Sequence, residues 1–138
     1  MHYDLIIRGG ICVFPWGEAE ADIGVRNGKV ASLSVASADE ADRVIDARGL
    51  HVLPGLIDAH VHLRDPGKPE VETLETGTRA AALGGIATVF DMPNTSPSIT
   101  DVTMIDWKRA HIRKTAHVDV GMYVGATREN TPDLALLE

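Results

Sequence analysis

Residues 54–67 read PGLIDAHVHLRDPG, and this stretch decides the fold. Leu56 to His62 is an apolar strand in which His60 and His62 stand two apart. Strand side chains alternate between faces, so both imidazoles project to the same side. Two imidazoles suit zinc or another first-row divalent ion. Taken alone, a His-x-His also describes two partly exposed strand histidines. Arg64 follows at the same two-residue spacing. Its fork of donors matches a carboxylate bidentately, or it pairs locally with Asp65. Asp58 shares the face of the histidines one layer deeper, where it supports them from behind rather than binding metal.

Outward from this stretch, strands and helices alternate. Val71 to Leu83 is a helical stretch closed by Gly84-Gly85, and Ile86 to Met92 is a second apolar strand. Thr100 or Asp101 caps a helix running to about Thr115, and Val118 to Val124 is a third strand. Thr131 then caps a further helix with Pro132 at its first position. The strands begin roughly thirty residues apart, the length of one strand–helix unit, which predicts a parallel sheet. In such architectures, active sites sit at the C-terminal ends of the strands. The second strand ends in Asp91-Met92-Pro93-Asn94-Thr95. Asn94 offers an amide that shares the carboxylate duty with Arg64, or it serves the turn after Pro93. Asp91 either orients a metal ligand from behind or bonds the neighbouring backbone.

Before Pro54-Gly55 the reading is different. Asp4 to Arg8 is an apolar run, and Asp22 to Leu33 alternates around Asn27-Gly28, the pair a type I′ hairpin turn requires. Val44 to Asp46 and His51 to Leu53 complete a set of short strands read as antiparallel, with Ser34 to Asp42 as a polar connection. The expectation is part of a small β-sandwich over residues 1–54 and a strand–helix domain over 55–138.

Composition narrows the function classes. Thirteen Lys and Arg against twenty Asp and Glu leave a net charge of −7, which gives no support to nucleic-acid binding. No apolar run approaches the ~18 residues of a membrane span, and no export signal is visible, so a cytoplasmic protein is expected. Cys12 is the lone cysteine and cannot form an internal disulfide. A closed (β/α)8 barrel usually takes ~250 residues, so a chain of this length holds only a piece of one. The last helix shows no stop signal, and the chain reads as cut off.

PGLIDAHVHLRDPG at 54–67 followed by ETGTRAAALGGIATVFDMPNT at 75–95 resembles the signature of dihydroorotases, in the cyclic-amidohydrolase branch of the metal-dependent amidohydrolase superfamily. The resemblance covers nearly the whole chain. It implies an α/β fold, the first three strand–helix units of a (β/α)8 TIM barrel preceded by part of a small β-sandwich domain. It implies that His60 and His62 bind Zn2+, one or two ions, or another divalent metal, while Arg64 and Asn94 hold the substrate carboxylate. The implied reaction is reversible hydrolysis of dihydroorotate to N-carbamoyl-L-aspartate in pyrimidine biosynthesis. At full length, the implied partners are a second copy of the chain or aspartate transcarbamoylase. Related enzymes open allantoin or hydantoins, and their sequences commonly lack an arginine at the place of Arg64, so Arg64 favours dihydroorotate.

The chain also departs from that pattern. The family's later ligands, a carbamylated lysine or acidic substitute and two more histidines, have no place here, and the catalytic aspartate is expected beyond Glu138. The lysines are Lys29, Lys68, Lys108 and Lys114, none at a barrel strand end. His2, His51, His111 and His117 read as structural or solvated. A catalytic zinc normally takes three protein ligands, so these 138 residues alone are expected to be inactive. The alternatives are an allantoinase-like or hydantoinase-like enzyme, or a non-catalytic structural partner of aspartate transcarbamoylase. Glu70, Glu72 and Glu75 read as charges suited to a helix N-terminus, and Trp16 and Trp107 as packing residues.

Overall fold

Asn27 and Gly28 take φ of 51° and 70° in the computed structural model, which describes residues 1–136. These two left-handed residues close the expected hairpin, with Arg26 paired to Lys29 across the turn. The chain divides into two units, Met1–Pro54 and Gly55–Glu138.

The first unit is one five-stranded sheet. It holds β1 (His2–Phe14), β2 (Gly17–Arg26), β3 (Lys29–Ser32), β4 (Glu40–Asp46) and β5 (His51–Val52). The order is β3-β2-β1-β4, with β5 also on β1. The expected all-antiparallel pairing is wrong, because β1 pairs β4 and β5 in parallel. Two sequence features concealed this. β1 runs 13 residues through Gly9-Gly10, where the register with β2 shifts, and the supposed connection 34–42 already contains the start of β4. Trp16 is exposed and stacks on Phe14 at 5.0 Å rather than packing inside.

The second unit alternates strand and helix as the spacing predicts. β6 (Leu56–Val61), β7 (Ile86–Asp91) and β8 (Asp119–Met122) form a parallel sheet in that order. Between them run α1 (Leu74–Leu83) and α2 (Val102–Thr115). α1 starts three residues later than the hydrophobic pattern indicates. Thr73 and Thr76 exchange side-chain-to-backbone bonds in a capping box, and Val71 lies outside the helix and exposed. Asp101 caps α2 by accepting from the backbone of Met104, which settles the choice against Thr100. Thr131–Leu136 forms a 3-10 helix, not the expected α-helix, and the rest of that predicted element lies outside the described residues.

The core of this unit is Leu63, Leu74 and Val89, with Val61, Ala81, Ile112 and Val120 packed around them. Gly77 lets α1 approach the loop after β6: a Cβ there would lie 2.4 Å from Leu63 Cδ2. Leu74 is fully buried and Val71 is 65% exposed, so their truncation should separate cleanly. Leu74→Ala is expected to cost about 2–5 kcal/mol in urea unfolding, and Val71→Ala less than about 0.5 kcal/mol.

Candidate functional site

The site lies where β6 and β7 end. β6 stops at Val61, whose carbonyl accepts from the backbone N–H of Met92 at 2.9 Å. Two residues on, the N–H of Leu63 donates to Asp91 Oδ1 at 2.8 Å. Both peptide groups flanking His62 are therefore tied to the end of β7. The imidazoles of His60 and His62 meet edge to face with centroids 5.1 Å apart. His62 Nδ1 lies 2.8 Å from Asn94 Oδ1. An amide oxygen only accepts, so Nδ1 donates, and in the neutral imidazole this leaves Nε2 as the acceptor nitrogen. Asp58 accepts from the backbone N–H of His60 at 3.1 Å, which supports the strand end from one layer down.

These residues fit part of a metal shell. A tetrahedral ion with Zn–N bonds of about 2.1 Å separates two imidazole centroids by about 5 Å. An outer acceptor on Nδ1 is the usual device for fixing a ligating imidazole. Among the described residues, no group of three or more His, Cys, Asp or Glu side chains is placed to hold a metal ion. Two imidazoles, the number that meet here among the described residues, are one short of a catalytic zinc's protein set.

Arg64 and Asn94 line a common hollow of about 80 Å³ with Pro66, Lys68, Thr95 and Ser96. That is well below the roughly 300–1,000 Å³ of a whole-ligand site, so it admits a polar group rather than a ring. The local Arg64–Asp65 pairing does not form: Asp65 Oδ2 accepts from His111 Nε2 at 2.8 Å and from the Leu74 N–H at 3.2 Å. Nor does Asn94 spend its carbonyl on the turn after Pro93, since His62 occupies it. A larger hollow of about 420 Å³ in the first unit is lined by Arg8, Asp22, Asp46 and Arg48. Its charges satisfy one another as Arg8–Asp22 and Arg48–Asp46 pairs, and Arg48 holds the Asp46 carboxyl down at about 2.

Asp91 does more than bond the neighbouring backbone. Its Oδ2 lies 2.6 Å from Lys108 Nζ, and the two side chains are 1% and 0% exposed. Lys108 Nζ also donates to the carbonyl of Asp65. In the sequence Lys108 falls within the predicted helix that ends near Thr115. The available signal was that Lys108 and His111 lie one turn apart on α2, so both can face the ends of β6 and β7. His111, expected to be structural or solvated, stacks against Trp107 at 5.0 Å and binds Asp65. His117 is exposed and precedes β8, as expected of a residue outside the site.

A parallel strand–helix alternation with polar side chains gathered at the strand ends is the pattern of the opening units of a (β/α)8 barrel. The family model described as "Dihydro-orotase-like" matches residues 49–137, and the chain belongs to that family of metal-dependent cyclic amidohydrolases. It is 45% identical to an allantoinase of Desulfitobacterium hafniense over 134 residues, covering 96% of this chain and 30% of the relative. It is 44% identical to a dihydroorotase of Elusimicrobium minutum over 109 residues, covering 79% of this chain and 25% of that protein. The solved L-hydantoinase of Arthrobacter aurescens superposes with a TM-score of 0.89 at 35% identity, over 98% of this chain and 30% of that one. An N-acyl-D-glutamate deacylase of Bordetella bronchiseptica, solved with zinc, matches at 25% identity and a TM-score of 0.65, over 91% of this chain and 30% of that one. The chain thus spans about 30% of the length of the allantoinase and the hydantoinase. These likenesses support the cyclic-amidohydrolase branch and point toward allantoinase and hydantoinase more than toward dihydroorotase itself.

Burial works against the charge on Asp65. The hydrogen bonds from His111 and the Leu74 N–H, with the charges of His111 and Lys108, outweigh it and hold the carboxyl below its usual range. A carboxyl depressed in the folded state stabilises above its unfolded value of about 3.9, and that stability is lost as pH falls through the lower folded value. The stability gap between wild type and Asp65→Asn should therefore hold steady near pH 5 and close toward pH 2, as read from urea midpoints. A gap unchanged across that range would contradict the assignment.

Proposed function

We propose that the gene product hydrolyses the ring amide of a cyclic ureide, the ring type shared by allantoin and hydantoin. His60 and His62 bind a divalent ion, zinc in the first instance, at the end of β6. The histidine pair carries this reading, with His62 Nδ1 on Asn94 and the two imidazoles edge to face. The likeness to allantoinases and to an L-hydantoinase supports the ring class. We read residues 1–54 as one layer of a β-sandwich and residues 55–138 as the opening of the barrel. We read the remaining ligands and the proton-transferring acid as supplied from outside the described residues.

In the reaction, a water oxygen bonds to the ring carbonyl carbon, the ring C–N bond breaks and the leaving nitrogen takes a proton. A divalent ion held by His60 and His62 would supply Lewis-acid chemistry, lowering the pKa of the attacking water and polarising the carbonyl. This chain's own residues set the geometry. Asn94 keeps His62 in the tautomer that exposes Nε2. Arg64 and Lys68, at the small hollow, offer donors to an oxygen-bearing group of the substrate.

A second reading is favoured by Arg64 itself. Its neighbour Asp65 is committed to His111, and the hollow it shares with Asn94 and Lys68 suits a carboxylate. On that reading the ring is dihydroorotate, opened to N-carbamoyl-aspartate, and aspartate transcarbamoylase or a second copy of the chain is the partner.

Steady-state kinetics of the zinc-loaded gene product on allantoin, hydantoin and dihydroorotate test the choice. The ureide reading expects kcat/KM at least about tenfold higher for a neutral ring, and Arg64→Ala to leave that value within about threefold. Preference for dihydroorotate, with KM raised more than about tenfold by Arg64→Ala, would establish the second reading instead. Absence of turnover on all three would overturn both.

A further inference from the structure

We propose that the buried Lys108–Asp91 pair is a positioning device: it sets the conformation of residues 62–65 and with it the aim of His62 and Arg64. The inference rests on the reading of His60 and His62 as metal ligands. Asp91 Oδ1 holds the N–H of Leu63 at 2.8 Å, while Oδ2 holds Lys108 Nζ at 2.6 Å. Lys108 in turn holds the carbonyl of Asp65. One ion pair thus grips the loop at two points, on either side of Arg64 and immediately after His62. The carbonyl of Val61, bonded to the Met92 N–H at 2.9 Å, fixes the peptide before His62. The backbone torsions that aim the His62 imidazole are therefore set by β7 and α2, not by β6 alone.

Packing alone does not account for this pair. Two charges at 1% and 0% exposure carry a desolvation cost that a pair of apolar side chains of similar volume would avoid. An apolar pair would fill the space but leave the Leu63 N–H and the Asp65 carbonyl unheld. Only an acceptor joined to a donor at this position serves both. Asp65 adds a third hold through His111 on the same face of α2, one turn beyond Lys108.

The test compares zinc affinity, by chelator competition, and the visible spectrum of the cobalt-loaded gene product across variants. Lys108→Met alone strands the buried Asp91 carboxylate, so Lys108→Met/Asp91→Asn is made beside it to keep the interior uncharged. Ile105→Ala removes a buried apolar side chain from α2 and no donor or acceptor of the network. The proposal expects the folded double variant to bind zinc about 10- to 100-fold more weakly, with an altered cobalt spectrum. Ile105→Ala, assayed well below its Tm, should bind as wild type does. A double variant that folds, binds within threefold of wild type and keeps the cobalt spectrum would overturn the proposal. If His60→Ala and His62→Ala lose zinc while both Lys108 variants keep it, the positioning role alone fails. If the histidine variants also keep zinc, the metal reading fails and takes this inference with it.

Discussion

A carboxylate and an ammonium almost wholly removed from water, Asp91 against Lys108, tie together the three elements on which the site stands. Burying two charges is favourable only when each finds its full set of partners. Here Asp91 divides its oxygens between Leu63 and Lys108, and Lys108 reaches on to the backbone of Asp65. No buried side-chain nitrogen or oxygen lacks a partner among the described residues. The pair cannot be satisfied unless β7, α2 and the loop after β6 come together, so the same contacts that complete the fold locally also shape the strand end that bears the histidines.

Much of this was legible in the sequence because it rests on local chemistry. Period-two alternation placed His60 and His62 on one side of a strand, and Asn27-Gly28 marked a turn that few other pairs can make. Gly84-Gly85 and Asp101 marked helix ends within a residue or two. What was not legible depends on contacts distant in sequence. The parallel pairing of β1 with β4 and β5 follows from how the chain returns across the sheet, which no short window reveals. The start of α1 was obscured because Val71 continues the apolar pattern while Thr73 supplies the cap. Lys108 reads in sequence as a helix residue away from the barrel strand ends, and only its meeting with Asp91, 17 positions earlier, explains its burial.

The substrate question turns on a conflict between two kinds of observation. Identity along the chain leans to enzymes of neutral ureide rings, whereas Arg64, Lys68 and Asn94 around one small hollow form a place for an anionic group. The proposed neutral ring follows the likeness, and the chemistry of the hollow carries the second reading. A guanidinium at that hollow strengthens binding of a carboxylate through charge-assisted bonds, and gains much less from a neutral carbonyl. On the second reading, discrimination between the two ring types rests on that one side chain, in the loop that Asp91 and Lys108 contact at Leu63 and Asp65.

The central claim is that the end of β6 presents two imidazoles to one divalent ion. X-ray absorption at the zinc edge of the loaded gene product tests it most directly, compared with the same measurement on the His60→Ala/His62→Ala variant. The account predicts nitrogen ligands at about 2.0–2.1 Å with imidazole outer-shell scattering that falls by two rings in the variant. A zinc environment identical in both proteins would contradict it.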